Sequence, residues 1–414
     1  MQANRTLMMD LRGLRVVEVG TAASVPLVGV MLANLGAEVI KVESAARPDI
    51  NRIRPGRPPQ PADETVGDAF PMLHELNAGK KSITLNLKSP DGRRLFARLL
   101  DCCDVFIENY APGWLDRLGL PLAQICASNP RLIVLAASAY GEEGPLSQQR
   151  AYAPIMTALS GLEGLIGYGP DDVLGMVATA FSDSNSAYFA MLAVFAGLLE
   201  RQRSGVGGLI DFSQTEAAVC MTGVAIAEQQ LTGEALSPQG NEHPHFEPHD
   251  IFRCAGPDSW VSVSVASDEQ WRGLCAAMNE VTGLHDERFV TVSGRRSARS
   301  DIAALITSWT IRRPAEYAAD LLQRHGVAAA PVIEPDQLAG TEPLRSRGIV
   351  DHLSHQEFGD FPTTIKPPWR IGPDMPHARA VAPTVGSANH DILVGLLGIS
   401  EEEFARLSAT GAFH

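Results

Sequence analysis

Asp183 stands between Ser182 and an apolar stretch that begins at Ser184, so its carboxylate lies where a helix should start. The ordinary use of such a residue is to cap the free amides of the first turn. A chemical use requires an independent reason. Seven cations, Lys80, Lys81, Lys88, Arg93, Arg94, Arg98 and Arg117, gather in one region behind an arginine-rich stretch. Such a surplus suits a phosphorylated ligand, or else Arg93, Arg94 and Arg98 form the solvated face of a helix. His243, His245 and His249 crowd one segment with Glu242, Glu247 and Asp250. Imidazole is a common zinc ligand, but the interleaved Pro244 and Pro248 read as an extended linker, and no metal site is expected.

The motifs that are missing narrow the chemistry. The chain has no GxxxxGK[ST] loop, no GxGxxG after its first strand, no GxSxG elbow and no HExxH helix. ATP-driven ligation, simple dinucleotide redox, α/β-hydrolase and zincin chemistry all lose ground. The balance of 34 Lys and Arg against 48 Asp and Glu, net −14, argues against a broad affinity for nucleic acid or anionic lipid, so an anionic ligand would need a local basic patch.

Side chains of this kind need a scaffold, and 414 residues supply two or three domains. At 45% hydrophobic and 20% charged, the composition is that of a globular chain. The longest apolar run, Ala187 to Leu199, is too short to cross a bilayer. The six cysteines form no CxxC pair. A cytoplasmic location is expected. Strand Arg15-Val16-Val17-Glu18-Val19, a helix from Pro26 to Leu35, the stop Gly36 and strand Glu38 to Val42 make one βαβ unit. A second runs through strand Ile83 to Leu87, a helix opened by Ser89-Pro90-Asp91, strand Val105 to Ile107, a short helix from Pro112 and strand Leu132 to Leu135. The alternation implies an α/β fold around a mainly parallel sheet. The proline- and arginine-rich stretch from Arg47 to Pro61 reads as a long surface loop. Strands Asp250 to Arg253 and Trp260 to Val265 mark a smaller domain, and Ser267 with Gln270 and Ser400 with Glu403 fit helix starts.

The unit from Leu11-Arg12-Gly13-Leu14 to Lys41-Val42-Glu43 resembles the class III coenzyme A transferases, the CaiB/BaiF family. Further blocks agree in order: Asn77 to Ile83, Lys88 to Gly92, Asp104 to Gly113, Leu115 to Gly119 and Asn129 to Ile133. Ser182-Asp183-Ser184-Asn185-Ser186, leading into a helix that ends at Arg203-Ser204-Gly205, is similar to the family's aspartate segment. Asp211 to Ala218, Gly240-Asn241 and Leu397 to Glu403 continue it, more loosely between Pro335 and Pro383.

The resemblance implies a Rossmann-like large domain built from both chain ends, residues 1–225 and 336–414, with a linker at 226–245 and a small α+β domain at 246–335. It also implies a homodimer of two interlocked rings. The implied reaction moves coenzyme A from an acyl thioester to a free carboxylate, with coenzyme A as substrate and no tightly bound cofactor. Asp183 takes the place of the family's nucleophile, passing through a mixed anhydride and an aspartyl-CoA thioester. Its position at a helix start favours the ionised form. Most of the rate would come from positioning, worth up to about 7 to 11 kcal/mol.

Matched in the same way, Ala22, Ala23, Leu85, Leu87, Lys88, Asn109, Tyr110, Arg117 and Leu118 fall where family members contact coenzyme A. Lys88 and Arg117 suit its phosphates, and Tyr110 and the leucines its adenine; Leu85 and Leu87 equally suit a core. Ala23, Ser44 in place of a basic residue, and His245-Phe246-Glu247 in place of a glycine-rich loop depart from the family pattern, so the donor and acceptor acids stay open. Two alternatives share the fold. An α-methylacyl-CoA racemase would need a histidine where Tyr152 stands, and a tyrosine of ordinary pKa near 10 is a poor base at neutral pH. A non-catalytic CoA-binding protein would not need Asp183 in its full Ser-Asp-Ser-Asn-Ser setting.

Overall fold

A computed structural model describes residues 11–53, 71–169, 172–176, 181–355, 359–363, 366–370 and 380–413. The β-branched run at the N-terminus forms β1 (Arg15–Val19). It is followed by α1 (Ser24–Asn34), β2 (Glu38–Glu43), α2 (Pro71–Asn77), β3 (Lys81–Thr84), α3 (Pro90–Asp101), β4 (Val105–Glu108), α4 (Trp114–Arg117), α5 (Leu122–Ser128) and β5 (Ile133–Ser138). Then come α6 (Ala153–Leu159), a hairpin of β6 (Gly167–Gly169) and β7 (Asp172–Val173), the long α7 (Phe181–Ser204), β8 (Gly208–Ser213), α8 (Gln214–Val219) and α9 (Gly223–Thr232).

Six of these strands form one sheet in the order β3-β2-β1-β4-β5-β8, every neighbouring pair parallel. The fold is α/β with a Rossmann-type sheet. Alternate residues feed opposite faces: Val17, Ile40 and Phe106 join one core, whereas Val16, Val39 and Ile107 join the other with α1 and α7. The order reverses between β1 and β4, and in such sheets ligands bind beyond the carboxyl ends at that point.

The chain divides into two compact units. The first comprises residues 1–162, 176–232 and 342–414, and the second 163–175 and 233–341. In the first, the C-terminal segment packs on the core with α3, where Arg94 bonds Glu403 at 2.8 Å and Arg98 bonds the Leu397 carbonyl. The second is an antiparallel sheet of β9 (His249–Arg253), β10 (Trp260–Ser264) and β11 (Ala328–Pro331), packed on helices through Leu274, Ile306 and Trp309.

Several sequence expectations shift. The strand expected from Ile83 to Leu87 runs instead from Lys81 to Thr84; the Leu85 N–H still bonds the Glu43 carbonyl of β2, but the Asn86 N–H turns to the Ala412 carbonyl instead of a neighbouring strand. A boundary at 225 would cut α9, which runs on to Thr232, and residues 163–175 belong to the second unit. Of the proline- and arginine-rich stretch, residues 54–61 lie outside the described ones; Arg52 is no loop residue but buried, gripping both oxygens of Glu43 at 2.9 Å.

A cluster of buried charges sits beneath β1. Glu18 meets Lys41 at 3.0 Å and Lys80 at 2.7 Å, and Lys41 also meets Asp49 at 3.0 Å. Burial pulls the Lys80 ammonium down to about 8 against the pull of Glu18. Such a cluster survives only with complete pairing. Gly29 of α1 makes the room: a Cβ there would lie 1.9 Å from Glu18 Oε2 and 3.0 Å from Lys80 Nζ.

Gly29→Ala is therefore expected to lower stability by about 3 kcal/mol or more. Gly223→Ala, a helical position with nothing within 4 Å of the added carbon, should cost nothing. Urea midpoints of the two variants against the parent test the contrast.

Candidate active site

The loop after β1 carries a strained residue. Ala22 has φ 62°, a left-handed conformation that costs a non-glycine about 1 kcal/mol or more. Its N–H donates to Asp49 Oδ1 at 3.4 Å, and its carbonyl accepts from Asn51 Nδ2. One residue earlier, the Thr21 N–H donates to Asn109 Oδ1 at 3.0 Å and the Thr21 carbonyl accepts from Asn109 Nδ2 at 2.9 Å. Lys41 Nζ donates to the Gly20 carbonyl at 2.7 Å, joining this loop to the buried charges. Asp49 and Asn51 were not singled out from the sequence, since nothing in its pattern shows that Ala22 must turn left-handed.

Because the loops after β1, β2, β3 and β4 all leave the carboxyl edge of one parallel sheet, Ala22, Ala23, Arg47, Lys88, Asn109 and Tyr110 emerge on the same edge. Ala22, Ala23, Asn109 and Leu118 are half-buried. Asn109 spends both amide hydrogens inside the chain, on Thr21 and on Ser24 Oγ at 3.3 Å, so it has none left to donate to a ligand. The exposed Tyr110 ring stands 4.6 Å from that of Trp114. Leu85 is only 2% exposed and belongs to the core, with Leu87 packed against it.

The basic cluster splits. Lys80 is buried, and Lys81 pairs with Glu38 and Asp391. Arg93 bonds the Leu87 and Lys88 carbonyls, while Arg94 and Arg98 fasten the C-terminal segment. Lys88 and Arg117 are exposed, and neither side chain has an ion-pair or hydrogen-bond partner among the described residues.

Asp183 is the third residue of α7, inside the first turn, so the capping role does not hold. That turn is fastened on both sides. Ser182 Oγ donates to the Ala153 carbonyl at 3.0 Å, Asn185 Nδ2 to Ala217 at 2.8 Å and Ser186 Oγ to Gln214 at 3.3 Å. Gln214 follows β8 and reaches the Ala137 carbonyl near the end of β5, which puts the start of α7 at the carboxyl edge. At its far end Arg201 pairs with Asp104, just ahead of β4, at 3.1 Å. Helix α7 thus runs antiparallel to the strands, and Asp183 shares an edge with the loops above. Its carboxylate is half-buried and has no partner among the described residues, and burial pushes it from 3.8 up to about 6. Most of it is still ionised at pH 7. Tyr152, immediately before Ala153, is 73% exposed.

The second unit holds a recess of about 350 Å³ between Tyr168, Glu242, Glu247, His249 and Arg299. Arg299 is already paired with Glu247 at 2.5 Å and with Glu242. His243 stacks on Phe246 at 3.9 Å, and His249 Nδ1 lies 2.8 Å from the Asn241 carbonyl. No group of His, Cys, Asp and Glu among the described residues is arranged to hold a metal.

Comparison with known proteins supplies the context for this edge. The family described as CoA-transferase family III matches residues 11–389. The chain is 30% identical over 399 residues to a succinyl-CoA–D-citramalate CoA-transferase of Chloroflexus aurantiacus, covering 96% of this chain and 97% of that one. It is 29% identical to an acetyl-CoA:oxalate CoA-transferase of Acetobacter aceti, covering 90% and 92%. Among solved structures, a CaiB/BaiF family protein from Brucella suis matches with a TM-score of 0.83 at 27% identity, covering 95% and 100%. No described helix is long and apolar enough to cross a membrane.

Raising a carboxyl pKa on folding means that ionisation destabilises the native state once pH passes the unfolded value. Asp183→Asn is therefore expected to raise the melting temperature at pH 7 to 8, the gain shrinking to nothing near pH 4. Calorimetry across that range tests it; a loss of stability at every pH would mark Asp183 as a structural residue.

Proposed function

The chain belongs to CoA-transferase family III and is an enzyme that transfers coenzyme A, and from that premise we propose how its own residues perform the exchange. Asp183 attacks the carbonyl of the donor thioester, forming a mixed anhydride and expelling the CoA thiolate. The thiolate then attacks the aspartyl carbonyl, releasing the donor acid and leaving an aspartyl-CoA thioester. The acceptor carboxylate attacks that thioester to form a second anhydride, and the freed thiolate takes its acyl carbonyl, regenerating Asp183. One thioester replaces another, so no nucleotide hydrolysis is required.

The observation that carries this reading is the Asp183 carboxylate, desolvated and unpaired among the described residues at the carboxyl edge of the sheet. A carboxylate in water is a weak nucleophile. One already stripped of part of its hydration has less to lose on attack. Lys88 and Arg117, unpaired among the described residues of an acidic protein, fit the phosphates of coenzyme A, with Arg47 exposed in the loop after β2. Ala22, Ala23, Tyr110 and Leu118 fit its remaining contacts, and Leu87 is better placed than the buried Leu85 to join them. Asn109 fits the site by holding Thr21.

A homodimer fits the surface of the first unit. Tyr188, Leu192 and Leu199 leave α7 exposed on one side, and Val224, Ile226 and Leu231 of α9 are exposed in a helix with no buried residue. Apolar surface of that extent fits cover by a second copy, and the family resemblance makes the pair interlocked. Free cysteines fit a reducing cytoplasm. The relatives' names point to small acids such as succinate, oxalate and citramalate as the substrates to try, with succinyl-CoA and acetyl-CoA as donors.

Asp183→Ala and Asp183→Asn are expected to abolish transfer while leaving the oligomer intact by light scattering; near-normal turnover, with deamidation of the Asn variant checked by mass, would defeat the assignment. In the parent enzyme kcat/KM for the donor thioester should rise with pH and reach half its plateau at about 6, where Asp183 ionises. A profile flat from pH 5 to 8 would place the ionising nucleophile elsewhere.

A further inference from the structure

Glu108 closes β4 at the switch point and is 1% exposed. No cation pairs with it among the described residues. Burial pushes its carboxyl up to about 8, against the bonds from Tyr110 and Trp114, and the charge of Glu142 adds to the rise. A buried carboxyl without a counter-ion is costly, and a leucine would fill the space more cheaply. What the carboxyl does there is specific. A single oxygen, Oε2, accepts the Tyr110 N–H at 2.8 Å and the Trp114 Nε1–H at 2.8 Å. One bond sets the backbone turn that presents Tyr110, and the other locks the indole. The two rings then stand 4.6 Å apart at 36°, with Tyr110 36% exposed.

We infer that Glu108 is a positioning residue that holds Tyr110 and Trp114 as an aromatic platform for the adenine of coenzyme A. The inference rests on the coenzyme A reading given above and adds the residue that shapes the nucleotide end of that site. Glu108 itself touches no substrate. Its effect is confined to the adenine nucleotide, remote from the thioester carbon that Asp183 attacks.

The test separates the nucleotide from the acyl end. Adenosine 3′,5′-bisphosphate, which contains the adenine but no thiol, is titrated calorimetrically into the parent, Glu108→Gln and Glu108→Leu. The glutamine keeps an oxygen that can accept both bonds and should bind within about threefold of the parent, while the leucine variant should bind about tenfold more weakly, the scale of one lost base stack. With acyl-CoA the leucine variant should show a raised KM and an unchanged kcat. With the matching acyl-pantetheine, which lacks the nucleotide, its kcat/KM should equal that of the parent. Equal losses with both thioesters, nucleotide binding unaffected by leucine, or no nucleotide binding by the parent would each overturn the inference. Absence of acyl transfer in the parent would instead count against the coenzyme A reading, because nucleotide binding is read without turnover.

Discussion

The structure of the site depends on one buried carboxylate. Glu18 lies inside β1 with two lysines on it, and a charge so placed is tolerable only while both partners stay in register. Lys41 comes from β2 and Lys80 from the residue ahead of β3, so the pairing ties three adjacent strands together. Lys41 also reaches the Gly20 carbonyl and Asp49, and Asp49 with Asn51 holds Ala22 in its left-handed turn. The chain thus transmits the rigidity of the sheet into the loop that leaves β1 at the switch point. A loop fixed in this way loses little freedom when a ligand arrives.

Against that fixed edge stands a helix whose own start is pinned. Three polar side chains, Ser182, Asn185 and Ser186, surround Asp183 in sequence, and each spends its hydrogen-bonding on a backbone carbonyl of α6 or α8. Asp183 alone among these four is left unpaired among the described residues. The neighbours place the carboxylate, and the burial they create raises its energy. On the proposed role, stability and reactivity pull in opposite directions at this residue.

Much of the sheet was legible because β-branched runs and capped helices alternate cleanly: β1, α1 and β2 fall within a few residues of their sequence pattern, and Ser89, Ser267 and Ser400 each accept from the amide three residues on. The end of β3 was not, since what removes Asn86 from the sheet is a carbonyl from the far end of the chain. Basic residues were visible as a group but not sorted. Only the fold shows that Arg94 and Arg98 reach the C-terminal segment while Lys88 and Arg117 reach nothing described. Asp183 drew attention by its setting, yet the pattern placed it at the cap and the structure places it within the first turn. Glu108, Asp49 and Asn51 escaped notice because each does part of its work on backbone groups, those of Tyr110 and Ala22, which carry no residue-type signal.

The central claim is that Asp183 becomes covalently bonded during turnover, and peptide mass spectrometry of enzyme trapped with its donor thioester tests it most directly. Hydroxylamine should convert the side chain of Asp183 to a hydroxamate, and borohydride should reduce it to the alcohol, each only when donor is present. Modification at another residue, or an unmodified Asp183 in enzyme that is turning over, would contradict the account.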